Sequence, residues 1–170
     1  MEKETQDYLD GFFLARRLAW ESKIKQLSQP SFKEYAQHRT GDTKNINQEF
    51  RTLHLDFGRQ TGNSYWMASK CCDLSVGENT PEKRVIKTEH CFCFFYSYNM
   101  EKCFWDKIGL INKKKIYKED TNIHTYTFSK MRGFQHFPNS YAFVDVSCML
   151  GEKNLDQIME SDQWEIICLL

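Results

Sequence analysis

Phe50-Arg-Thr-Leu-His-Leu-Asp-Phe-Gly-Arg-Gln-Thr-Gly-Asn-Ser64 is the stretch on which the reading of the fold turns. From Phe50 to Phe57 apolar and polar residues alternate, the two-residue period of a strand. Gly58 and Gly62 bracket a polar turn, and Ser64 to Leu74 reads as a helix. Strand, glycine-bearing turn and helix is the arrangement in which backbone N–H groups and a helix N-terminus cradle an anion. The complete phosphate-loop pattern is G-x-x-x-x-G-K-[ST]. Here Gly58-Arg59-Gln60-Thr61-Gly62-Asn63-Ser64 brings the glycines one residue closer and puts Asn63 where the lysine belongs. The competing reading is a plain turn between strand and helix, with Arg59 and Gln60 solvated.

Outward from this stretch, apolar strands alternate with helices. Before it, residues 5–28 carry Tyr8, Phe12, Ala15, Ala19, Ile24 and Leu27 at helical spacing. Pro30 ends that helix, and a short helix over 31–39 follows, with Ser31 as N-cap and Glu34 at capping-box distance. Residues 41–47 form a polar linker. After the stretch, residues 76–87 read as a loop. His90 to Ser97 is an apolar strand, and Asn99 caps a helix from Met100 to Ile108 that Gly109 ends. Residues 111–120 are basic and exposed. Ile123 to Phe128 is a strand, Ser140 to Val146 an apolar strand with Asp145 at its carboxyl end, Leu155 to Glu160 a helix, and Trp164 to Leu170 a last strand. Continuous apolar strands separated by helices predict an α/β fold: a mostly parallel sheet of about five strands flanked by helices. The expected organisation is a helical extension over 1–47 and one compact core over 48–170.

Composition sets the outer limits. The chain has 170 residues, with 23 Lys+Arg against 23 Asp+Glu and a formal net charge of zero. That length suits one domain with a real core, and the 41% hydrophobic content excludes a disordered chain. Neutrality argues against a strongly cationic nucleic-acid binder. No apolar run approaches the roughly 20 residues that cross a bilayer. The polar start and the odd count of seven cysteines predict reduced thiols in the cytoplasm. His90, Cys91 and Cys93 are the nearest approach to a metal cluster, but strand alternation puts His90 on the face opposite the two cysteines. They read as small buried residues, and no metal is expected.

The segment Leu53 to Ser64 resembles the Walker A region of phage large-terminase ATPases and related helicase-like P-loop NTPases, in which a strand runs into a G/S-R-Q-x-G-K-[ST] loop. His90 to Met100 resembles their second strand entering a helix. Arg132-Gly133 and Tyr141-Ala-Phe-Val-Asp145 resemble the approach to the Walker B strand and the strand itself. Trp164 to Leu170 would match the strand that follows. In that family the loop lysine neutralises the terminal phosphates, the Ser/Thr hydroxyl and the Walker B aspartate hold Mg²⁺, and a following glutamate orients water. This chain keeps Ser64 and Asp145 but carries Asn63 for the lysine and Val146 for the glutamate.

The resemblance therefore implies a degenerate P-loop core without catalytic residues, at most a weak binder of ATP and Mg²⁺. It implies a small phage or phage-satellite-type protein that works by protein–protein contact, as inhibitor or modulator of a DNA-packaging motor ATPase or a host defence protein. Two other readings stand beside it. One is an active ATPase or small kinase with a displaced lysine, Lys70 or one of Lys113, Lys114 and Lys115. The other is a nucleic-acid module that uses Lys113 to Lys115 with Trp105 and Tyr117. His54 and His124, within strand patterns, read as structural.

Overall fold

The computed structural model describes residues 3–38, 42–58, 60–76, 79–80, 83–84 and 87–170. In chain order its elements are α1 (Lys3–Leu27), α2 (Pro30–His38), α3 (Thr43–Ile46), a π-type turn (Asn47–Arg51), β1 (Thr52–His54), α4 (Asn63–Ser75), β2 (Asn79–Thr80), β3 (Lys83–Arg84), β4 (Cys91–Phe95), α5 (Tyr98–Asn112), β5 (Ile123–Thr127), β6 (Ser140–Val144), α6 (Glu152–Met159) and β7 (Trp164–Leu169). Five strands form one sheet in the order β1-β7-β6-β4-β5, and every pairing is parallel. The fold is α/β, with a wholly parallel sheet flanked by helices. β2 and β3 make a separate antiparallel ribbon inside the stretch expected to be loop.

The three central strands explain the all-parallel arrangement. β4 is Cys-Phe-Cys-Phe-Phe and buried at every position, because helices or loops cover both faces of a parallel sheet. Alternation then sorts its side chains. Cys91, Cys93 and Phe95 join Phe143, Ile166 and Cys168 beneath α1, α4 and α5. Phe92 and Phe94 join Ala142, Val144, Ile167 and Trp164 beneath α6 and the 128–137 segment. A register irregularity at Ser140/Tyr141 aligns Ser140 with Trp164 and Tyr141 with Ile166.

Residues 1–47, expected as a preface, supply part of this core. Trp20 of α1 is 6% exposed; its ring stacks on Phe143 at 6.1 Å and meets Trp66 at 6.2 Å. Asn47 is buried and donates to Met159 O and Ser161 O, which ties the π-type turn to α6.

Several boundaries differ from expectation. The strand expected over 50–57 is confined to Thr52–His54, because β1 is an edge with one neighbour, β7. One further bond, Leu55 N–H to Leu169 O at 2.8 Å, ends the pairing. α5 starts earlier than expected, since Ser97, not Asn99, is its N-cap and accepts the Met100 N–H. It also passes through Gly109 and ends where Lys113 turns left-handed at φ 55°. Nothing about a glycine forces an ending when the backbone bonds of Lys113 to Leu110 and Lys114 to Gly109 close the helix one turn later.

Candidate functional site

The loop between β1 and α4 is built from its own polar groups. Asp56 Oδ1 accepts the Gly58 N–H at 2.8 Å, an Asx turn that starts the reversal. It also accepts from Asn63 Nδ2 at 3.2 Å. Thr61 is buried, and its hydroxyl donates to Gly58 O at 2.9 Å. The backbone is left-handed at Gly58 (φ 96°), Gln60 (φ 60°) and Gly62 (φ 77°). Gly62 is required twice over, because a Cβ there would stand 2.9 Å from the Phe13 ring of α1. Arg59 lies outside the described residues.

What fills this loop is Arg16 of α1. Its side chain is fully buried, and its guanidinium donates to Thr61 O at 2.7 Å, to Thr61 Oγ1 at 2.9 Å, to Leu55 O at 3.4 Å and to Asn63 Oδ1. The guanidinium also lies 5.0 Å from the centroid of the Phe57 ring. Burial lowers the Arg16 pKa, and the nearby Asp56 carboxylate opposes that shift. The loop thus turns carbonyl and amide oxygens toward a cation. An anion cradle would turn N–H groups inward instead. Gly58 to Ser64, phosphate-loop-like in sequence, thus closes on a guanidinium, and Asn63, at the position where the pattern has lysine, serves as an acceptor for Arg16.

Ser64, at the start of α4, donates to Asp145 Oδ2 at 3.0 Å, across 81 residues of sequence. The strand order makes this contact possible. β7 lies between β1 and β6, so the loop leaving β1 crosses the end of β7 and delivers α4 above β6. Asp145 is only 3% exposed, so it is not a solvated strand-end acid. Burial raises its carboxyl above the ordinary range, while the Ser64 hydroxyl and the Val146 N–H oppose the shift. Val146 itself is left-handed, with φ 53° and ψ 54°. A β-branched residue in that region is strained, and such strain gathers at functional sites.

The remaining sequence candidates lie elsewhere. Lys70 points to Trp20, its Nζ 4.8 Å from the ring centroid, not to the loop. Lys113 is the left-handed residue that ends α5, and Lys114 and Lys115 are exposed beside it, where cations complement the negative end of a helix. Lys115 and Lys118 cover the rings of Tyr117 and Trp105, at 5.1 and 5.5 Å, so these aromatics already carry a cation. Cys71 and Cys93 Sγ stand 3.5 Å apart in the core. Burial pushes the Cys72 thiol up to about 11 and raises Cys71, Cys91, Cys93 and Cys168. His90 faces the other way and meets His124, Nδ1 to Nε2 at 2.9 Å, in a stack with Phe137. His54 is exposed. Among the described residues, no three His, Cys, Asp or Glu side chains are placed to hold a metal ion, and no helix is long and apolar enough to cross a membrane.

Sequence reasoning missed Arg16. A signal was present: Phe12, Arg16 and Trp20 recur every four residues, so an arginine sits on the stripe that faces the sheet. Comparison with protein-family models, curated sequences and solved structures returns no significant match.

Proposed function

We propose that this chain is a P-loop-type α/β protein that has given up phosphoryl transfer and acts by protein–protein contact. The observation that carries the reading is the buried Arg16 guanidinium inside the Gly58–Ser64 loop, held by Thr61 O, Thr61 Oγ1 and Asn63 Oδ1. Triphosphate in that space would have to displace a side chain whose bonds the loop is shaped to make. No lysine remains in the loop to compensate, and Val146 stands where a water-orienting carboxylate would be needed. The Ser64–Asp145 hydrogen bond supports descent from the P-loop class, since those two positions share one Mg²⁺ in the family that the sequence resembles. The same resemblance directs the choice of target: a packaging-motor ATPase or a host defence protein, inhibited or modulated by this chain as a small phage-type partner. ATP and Mg²⁺ have no catalytic part in this reading, and nucleic acid is not its ligand.

Two measurements test it. Purified protein is expected to show background ATP turnover and no thermal stabilisation by Mg²⁺-ATP, where a real site would stabilise by RT ln(1 + [L]/Kd). Turnover that disappears in Ser64→Ala or Asp145→Ala would overturn the proposal in favour of an active ATPase or kinase. In infected-cell extract, the tagged chain is expected to retain an ATPase or defence component and to change that component's own turnover when remixed. Retention with no change in activity would sink the modulatory role.

A further inference from the structure

α1 buries Arg16, Trp20 and Leu27 on the face it turns to the sheet. On the opposite face Asp7, Gly11, Leu14, Leu18, Glu21 and Lys25 recur at alternate spacings of four and three residues, and all are exposed. That spacing is the seam of a coiled coil, which a second helix covers. Leu14 and Leu18, at its centre, expose 47% and 54% of their surface. The helix has 25 residues, a length of about 37 Å, so the seam can take a helix as long as α1 itself.

The charges on this helix say which helix that is. Outside the buried Arg16, the half before Leu14 carries Glu4, Asp7 and Asp10 against Lys3, and the half after it carries Arg17, Lys23 and Lys25 against Glu21. One half is net acidic and the other net basic, so α1 is complementary to its own reverse. The register follows from the same residues. With Leu14 opposite Leu18 of a second copy, Leu18 meets Leu14 and each Asp7 meets Lys25. A slip of one heptad sets Asp7 against Leu18, or Glu21 against Leu18 and Lys25 against Leu14, which loses both matches. Gly11 then comes opposite Glu21. A glycine inside a helix costs stability, and nothing in this chain stands within 4 Å of the place its Cβ would occupy; at the seam it leaves room for the longer side chain. Arg17 flanks the two-fold axis, and its own Glu21 carboxylate lies 3.8 Å away, which moderates the approach of two arginines.

We infer that the outer face of α1 is the interface of a two-fold symmetric dimer, with α1 packed antiparallel on α1 of a second copy. The contact is isologous, so every residue in it is used twice. Four leucines form its centre, and an Asp7–Lys25 pair closes each end. A single helix pair is a small interface, of the class that associates weakly and reversibly. It lies on the side of α1 away from Arg16 and the loop, so it stands independently of the reading of that loop.

The test is sedimentation equilibrium of the whole chain from about 10 µM to about 1 mM, the range in which small interfaces associate. The mass is expected to rise toward twice that of one chain. Leu14→Gln/Leu18→Gln, at exposed positions, should weaken association by about tenfold or more. Asp7→Lys sets like charges opposite each other at both ends and should weaken it by about fivefold. The swap Asp7→Lys/Lys25→Asp should return it to the wild-type value. An unchanged dimer in the leucine variant, or a charge swap that does not rescue, would overturn the proposal. So would a monomer throughout the range, including one whose Leu14 and Leu18 amide signals respond only to an added foreign protein.

Discussion

The carboxyl ends of β1 and β5 lie at opposite edges of one sheet and treat their polar groups in opposite ways. At the β1 end, Thr61 and Asn63 are closed around Arg16, and Asp56 is bonded to Gly58 and Asn63. At the β5 end, the buried Thr127 hydroxyl is left without a partner beside an open cavity. The first region has the motif and the second has the unfilled bonding capacity. A phosphate-loop pattern therefore does not by itself show that a loop's polar groups are free for a ligand. What decides is whether the loop's donors and acceptors are already used.

Breaking the closed end should have the largest effect. Arg16→Met leaves the Thr61 carbonyl, the Thr61 hydroxyl and the Asn63 amide oxygen without their charged donor, and should cost about 3 kcal/mol; the unfolding midpoint in urea measures it. A loss below about 1 kcal/mol would mean that the guanidinium is not the keystone of the loop. Asn63→Lys alone should not restore nucleotide binding, because it removes an acceptor from Arg16 and sets a second cation beside it. Only the double variant Arg16→Gln/Asn63→Lys should gain affinity for Mg²⁺-ATP, read by thermal shift. Equal behaviour of single and double variants would detach Arg16 from the matter.

Gly62→Ala comes next. The left-handed φ of 77° and the Phe13 ring 2.9 Å away should together cost about 2 kcal/mol in the same denaturation assay.

A smaller effect concerns pH and lies nearer the β5 end. His90 and His124 are both lowered from the ordinary value of 6.5, chiefly by burial. The unfolded chain therefore binds more protons than the folded one as pH falls below about 6.5. Their contribution is complete above that pH and is lost on acidification through the lowered folded values. His124→Phe keeps the stack with Phe92 and Phe137 and should flatten the fall of Tm between pH 7 and 5 (roughly the window these shifts define). Asp145, raised by burial, has the opposite sign: its contribution is lost as pH rises through its raised folded value. The smallest effect belongs to the open end: Thr127→Val should change stability by no more than about 1 kcal/mol, toward greater stability.

The strands and helices were legible because burial on both faces of a parallel sheet leaves continuous apolar runs such as Cys91–Phe95 and Ser140–Val144. Helix limits were less so. Ser97 and Lys113 set the ends of α5 through hydrogen bonds and backbone conformation that neighbouring residues, Asn99 and Gly109, could equally have supplied. Ser64 and Asp145 were each visible as positions in a pattern.

By itself the sequence determined the α/β class, the chain order of the five strands of the main sheet and the absence of a lysine at position 63 of the loop. These depend on local periodicity and on single residue identities. Only the tertiary structure decided that β7 inserts between β1 and β6, that Ser64 meets Asp145, that Arg16 fills the loop and that Thr127 lacks a partner. Each of those is a pairing of groups far apart in the chain, and whether a buried polar atom is satisfied depends on what the fold brings within hydrogen-bond reach.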